Sequence, residues 1–117
     1  MAYKAEDFVY LRENIKLEKV TFKDEGKETK FFSLRITYWD GMERYSKNGI
    51  TFNTETAKWI KDLSPDIQAS YNHEVFSTVV MKEDIIISKR NTDSFITGLT
   101  LNINEFKMLQ NFIILNV

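Results

Sequence analysis

The chain has no cysteine, one histidine, one proline and four glycines among its 117 residues. Without cysteine there are no disulfides, no thiolate metal ligands and no cysteine nucleophile, and a reducing compartment suits such a chain. A zinc site wants three or four His, Cys or carboxylate ligands, so His73 alone does not suggest one; it reads as a surface residue at a strand edge. The single proline, Pro65, leaves room for long regular elements. No apolar run approaches the length of a membrane span, and the first residues lack the basic start and apolar middle of a signal peptide. No membrane association is therefore expected. The expected location is cytoplasmic, or nuclear for a eukaryotic source, or the host cytoplasm for a virus.

Charge of one sign is also lacking. The net charge is −1, which does not by itself advertise an anionic partner. The distribution says more. Between Asn14 and Leu63 there are ten Lys/Arg and eight Asp/Glu, whereas between Tyr71 and Ile114 there are four and five. The first half is the cationic one, and an anionic partner would settle there.

Enzyme signatures are missing too. There is no phosphate-binding glycine loop, no dinucleotide fingerprint and no nucleophile elbow. The carboxylate pairs Asp24/Glu25 and Glu83/Asp84 fall in expected turns, where solvated charge explains them. The chain reads as a non-enzyme that needs no cofactor and no metal.

What is present is a duplication. Gly49-Ile50-Thr51-Phe52-Asn53 and Gly98-Leu99-Thr100-Leu101-Asn102 lie 49 positions apart, and each runs into a helical pattern. At the same spacing Ile36 falls on Ile85, Tyr38 on Ile87, Ile60 on Leu109 and Leu63 on Phe112. Such a repeat makes a few strands followed by one helix the unit of folding. A hydrophobic content of 43% suits a packed globule.

The alternation over 15–22 and, most clearly, Phe31 to Trp39 predicts strands. On the latter, Phe32, Leu34, Ile36 and Tyr38 share one face, and Phe31, Ser33, Arg35, Thr37 and Trp39 the other. Lys23 to Glu28 reads as a hairpin loop and Asp40-Gly41 as a turn. Two short strands are expected at 42–46 and 49–53, then a helix over 54–63 capped by Asn53 or Thr54 and stopped by Ser64-Pro65. The second unit repeats this with strands at 75–81 and 85–89, a loop at Asn91-Thr92-Asp93, one or two strands from Ser94 to Asn102, and a closing helix over 103–113. The expected division is an extension at 1–13 that docks on the body, a first repeat at 14–63, a linker at 64–70 and a second repeat at 71–117. The fold class is α+β: two tandem antiparallel ββββα units packed through their helices as an intramolecular pseudo-dimer, with the opposite sheet faces open.

The chemistry left is a surface constellation. Phe31, Arg35, Thr37 and Trp39 alternate on the outward face, with Lys16, Lys23, Lys27, Lys30, Arg44, Tyr45 and Lys47 nearby. Cations beside aromatics on an open sheet suit single-stranded nucleic acid, the cations meeting phosphates and the rings stacking on bases. Phe76, Lys89 and Arg90 are the corresponding candidates in the second half. The same residues also suit a plain core and a solvated surface.

Ile15 to Asp24, Gly26-Lys27, the strand ending Tyr38-Trp39, and Gly49 to Asn53 before a helix together resemble the C-terminal domain of the transcriptional coactivator positive cofactor four and its bacterial and phage relatives. The family is similar in fold to the plant Whirly proteins. The resemblance covers 14–63 and, more weakly, 71–114. It implies paired units whose sheets bind single-stranded DNA with little sequence preference, in replication, recombination or transcription. It further implies that Lys16 and Lys27 contact the backbone and that Phe106, an aromatic at the helix start, lies near the bound strand. Ala57 replaces that aromatic in the first repeat, and Ile96-Thr97 replace a basic pair that keeps Lys47 before Gly49. The alternatives are a protein-interaction or assembly module on the same fold, and binding of single-stranded RNA.

Overall fold

A computed structural model describes residues 2–92 and 95–117. Two four-stranded antiparallel sheets, each followed by a helix, make up the chain. The first sheet runs β1 (Ala2–Arg12), β2 (Ile15–Asp24), β3 (Lys27–Trp39) and β4 (Glu43–Asn53), side by side in that order, and leads into α1 (Thr54–Lys61). The second runs β5 (Ala69–His73), β6 (Phe76–Val80), β7 (Asp84–Arg90) and β8 (Ile96–Asn102), then α2 (Ile103–Asn116). The tandem arrangement of four strands and a helix is thus present.

Three boundaries differ from the sequence reading. The extension docks as a full strand: β1 pairs with β2 from Ala2↔Lys23 to Arg12↔Ile15 and is the outer strand of the first sheet. The two strands expected at 42–46 and 49–53 are one, β4, because the break between them is a bulge. Arg35 pairs with Gly49 and Thr37 with Tyr45, so Ser46 to Asn48 form extra chain that leaves β4 continuous. The linker is as long as expected but lies two residues earlier, at 62–68, since α1 ends at Lys61 and β5 begins at Ala69. Of the expected loop at Asn91 to Asp93 and the strand from Ser94, Asp93 and Ser94 lie outside the described residues.

Local chemistry explains the turns and caps. Glu25 (φ 49°) and Gly26 (φ 81°) form the two-residue β2–β3 turn, with Asp24 paired to Lys27. Positive φ at both positions matches the right-handed twist of a hairpin. The repeated asparagines are the caps: Asn53 accepts from Thr56 N at 2.9 Å, and Asn102 accepts from Glu105 N at 2.8 Å. Glu105 returns the contact, accepting from Asn102 N at 2.9 Å, so α2 carries a complete capping box. The duplicated sequence is therefore a duplicated strand-to-helix junction.

The ladders assign equivalence more finely than the gapless alignment does. Phe52 pairs with Phe32 and Ile50 with Leu34; Leu101 pairs with Ile85 and Leu99 with Ile87. Phe32 and Leu34, rather than Ile36 and Tyr38, are thus the counterparts of Ile85 and Ile87. The longer connection from β3 to β4 moves the register while the junctions keep their spacing.

One apolar cluster joins residues of both units, including Leu17, Phe32, Ile50, Ile60, Ile85, Leu101, Phe106 and Leu109. The α2 helix lies against α1: Gln110 Nε2 donates to Leu63 O at 2.8 Å and to Ile60 O at 3.1 Å, which satisfies carbonyls at the end of α1. The same helix reaches the first sheet. Phe112 meets Phe32 edge-on at 6.2 Å, and Lys19 Nζ donates to Asn116 O at 2.7 Å. Arg12 grips Glu105 with two hydrogen bonds of 2.7 and 2.6 Å. His73, expected on a strand edge, ends β5 but stacks on Trp59 of α1 at 5.2 Å. Among the described residues no helix is long and apolar enough to cross a membrane.

Candidate functional site

Both helices cover one side of the sheets, which leaves an outer face on each. The pairing register writes out what those faces carry. On the first sheet the cross-strand rows are Tyr10–Lys16–Arg35–Gly49, Phe8–Glu18–Ser33–Thr51 and Ala5–Val20–Phe31–Asn53, with Tyr3 opposite Phe22 beyond them. On the second sheet they are Asn72–Ser77–Ser88–Gly98 and Ser70–Val79–Ile86–Thr100. At matching positions Lys16 and Arg35 become Ser77 and Ser88. One face is aromatic and cationic; the other has neither kind of residue in these rows.

The aromatic residues form two groups. At one end Tyr3 packs on Phe22 at 4.6 Å and meets Phe31 edge-on at 6.3 Å. At the other, Phe8 and Tyr10 lie at 5.7 Å, with Tyr45 across the sheet near the same lysine. Tyr3 is 69% exposed and Phe8 53%, and Tyr10 and Tyr45 are exposed as well. Between the groups runs a groove of about 440 Å³ lined by residues that include Tyr3, Val20, Phe31, Arg35 and Tyr45. A second groove shares Tyr3, Phe31 and Thr51 with it and continues to Phe76 and Lys89 at the edge of the second unit.

Lys16 is only 8% exposed. Its ammonium donates to Glu43 Oε1 at 2.9 Å and to the Tyr45 hydroxyl at 3.3 Å. It also lies 4.6 Å from the Phe8 ring centre and 5.3 Å from that of Tyr10, both within cation–π range. Burial disfavours its charged form, but the bonds to Glu43 and Tyr45 prevail and hold its pKa above the ordinary lysine value. The Glu43 carboxyl is held low, first by the Tyr10 hydroxyl and then by Lys16. Lys16 is thus a paired cation beneath the rings.

The other sequence candidates divide clearly. Lys27, Arg44 and Lys47 are exposed and, among the described residues, form no ion pair. Lys23 and Lys30 are exposed and flank Glu28, each at 3.7 Å. Arg35 lies on the open face with Nη1 donating to Ser46 O at 3.2 Å, and Phe31 is half-buried beside it. Trp39 is exposed near the β3–β4 turn, at the far end of the sheet.

Three candidates do not face solvent. Phe106 has no exposed surface and belongs to the core, where the α2 start tucks it under the sheet; Ala57, its counterpart on α1, is equally buried. A ring so placed cannot stack on a bound base. Phe76 is 6% exposed, with the Lys89 ammonium 5.3 Å from its centre. Thr37 is buried, its N–H donating to Asn14 O at 2.8 Å. Lys89 is half-buried and bonds Thr51 O at 3.0 Å, which ties the second sheet to the first; Arg90 is exposed.

The sequence reading missed Tyr3, Phe8 and Tyr10. The alternation of Tyr3, Ala5, Phe8 and Tyr10 with charged or inward residues was a signal, but the register shift between Ala5 and Asp7 breaks its period. Comparison of the chain with protein-family models, with curated proteins and with solved structures returns no match.

Proposed function

We propose that the chain binds single-stranded DNA, with little sequence preference, on the open face of the first sheet. The observation that carries this reading is the contrast between the two sheets. Tyr3, Phe8, Phe31 and Tyr45 lie on one outer face with Arg35, while the matched rows of the other hold Ser, Asn, Val, Ile, Thr and Gly. Exposed rings cost solvation, and a helix-free groove between them suits flat apolar ligands that are themselves charged outside.

In this mechanism Lys27, Arg35 and Lys47 hold phosphates while unpaired bases stack on the rings at about 1–3 kcal/mol each. Lys30 and Arg44, paired with Thr21 and Tyr38, belong to the opposite face of the sheet and take no part. Duplex bases are already stacked on each other and cannot reach the rings. The two units form an intramolecular pair of the positive cofactor four type, in which the first half contacts the strand and the second supports it. The join of α1 and α2 through Gln110 and the common core support that pairing.

Fluorescence anisotropy with labelled single-stranded, duplex and RNA oligonucleotides at two salt concentrations tests the reading. Three phosphate contacts give a log–log salt slope of roughly −2 on single strands. Preference for duplex, or an affinity indifferent to salt, contradicts it. Equal binding of RNA would widen the ligand class, since stacking alone does not read the 2′-hydroxyl. A Lys27→Glu plus Arg35→Glu variant that binds single strands as well as the wild type favours a protein-interaction module instead.

A further inference from the structure

Lys16 and Glu43 stand at the Tyr10 end of the open face, and the apolar core makes no use of either. Lys16 comes from β2 and Glu43 from the start of β4, with β3 between them. One Glu43 oxygen accepts from the Lys16 ammonium at 2.9 Å, and the other accepts from the hydroxyl of Tyr10 on β1. A single carboxylate thus bridges both sides of the sheet above a buried cation. Its own side chain is 30% exposed, against 10% for that of Lys16. The anion, not the cation, meets an incoming ligand. Phe8, Tyr10 and Tyr45 surround the ammonium at 4.6, 5.3 and 5.6 Å, so the rings nearest the charge are partly held by the same latch.

We propose that Glu43 is a specificity-determining residue of this face: its carboxylate occupies the position on Lys16 that a backbone phosphate would take, and only a ligand that offers both a phosphate and an unpaired base displaces it. The proposal rests on the single-strand reading above. Exchanging a carboxylate for a phosphate on the same lysine swaps one ion pair for another and gains little. Net gain comes from the exposed Phe8, Tyr10 and Tyr45 rings around the ammonium, on which the base next to that phosphate stacks at about 1–3 kcal/mol. A duplex supplies phosphates without free bases, and inorganic phosphate supplies no base at all. Both meet the cost of opening the latch without the return. Glu43 therefore acts as a repulsive element against the wrong polyanions, the usual route to specificity when attraction alone is unselective.

The test compares the full-length wild-type chain with Glu43→Gln, which is nearly isosteric, and with Tyr10→Phe, which removes the hydroxyl and keeps the ring. Anisotropy is read with a labelled oligo-dT of about 15 nucleotides, within the span of known single-strand sites, and with a duplex of equal length. In Glu43→Gln, oligo-dT binding tightens about threefold and duplex binding about tenfold or more, so the single-strand preference falls. Tyr10→Phe moves the preference in the same direction by a smaller factor. Adding Lys16→Met to Glu43→Gln abolishes the gain. An unchanged preference in both single variants, or weaker oligo-dT binding by Glu43→Gln, overturns the proposal and leaves the single-strand reading standing. Absence of oligo-dT binding by every protein overturns both.

Discussion

The Arg35 guanidinium lies across Gly49 so closely that a Cβ built on the glycine would fall 2.6 Å from Arg35 Cζ. The matching glycine, Gly98, faces Ser88 Oγ at 3.4 Å from the same construction, an ordinary contact or nearly so. The repeated glycine thus serves different ends in the two sheets. In the first it seats a cation flat on the open face; in the second it merely continues a strand.

Gly49→Ala should therefore push Arg35 off the sheet and weaken single-strand binding several-fold, with a small change in melting temperature because the displaced group is the far end of a flexible side chain. Gly98→Ala should leave binding untouched and change stability by less than about 1 kcal/mol, since a compatible glycine-to-alanine change restrains the unfolded chain. Anisotropy and thermal melts on the two variants decide the matter.

The aromatic rows predict a graded loss. Tyr3→Ala, Phe8→Ala and Tyr45→Ala should each cost about 1–3 kcal/mol of binding to oligo-dT while the fold persists, because their rings are exposed. Phe106→Ala should instead cost about 3–5 kcal/mol of stability, as a cavity in the core does. Titrations alongside denaturant melts separate the two effects.

The two caps differ in what they hold. Asn53→Ala removes one hydrogen bond, and Asn102→Ala removes one side of a reciprocal box that also includes Glu105. Each loss falls in the range of about 0.5–2 kcal/mol, with Asn102 at the upper end. Urea midpoints measured at constant m-value check the order.

Glu105 makes stability depend on acid. Its carboxyl is held below the ordinary value, first by the Arg12 hydrogen bonds and further by the Asn102 N–H, against the opposing effect of burial. A depressed folded-state pKa gives stability that is present above the unfolded value and lost as pH falls through the folded one. Melting temperature should drop as the pH falls through and below the ordinary glutamate range, and Glu6 and Glu43, also held low, add to the drop. Glu105→Gln should lower stability at neutral pH by about 1–2 kcal/mol, moderated because Arg12 is half exposed, and should flatten the acid limb.

The legible parts of this fold were those with short-range chemistry. Asn53 and Asn102 before helical patterns, Gly26 and Gly41 at turns, and the unbroken alternation of Phe31 to Trp39 each carry their reason within a few residues. What escaped was set by distant partners. The bulge at Ser46 to Asn48 has no local signature that separates it from a turn, and the full length of β1 was hidden by the register shifts that break its alternation. Lys16 illustrates the same limit within the site. Its position on a strand was legible, but Glu43 and Tyr45, which bury and neutralise it, stand 27 and 29 residues away. Phe106 was set near a bound strand by the family resemblance alone, whereas the packing of α2 puts it in the core.

The most direct measurement is a backbone NMR titration of the whole chain with oligo-dT. The account predicts shifts concentrated on Tyr3, Phe8, Glu18, Phe31, Arg35, Tyr45 and Thr51, with Ser77, Val79, Ile86 and Ser88 unmoved. Shifts centred on the second sheet, or none at saturating oligo-dT, would contradict it.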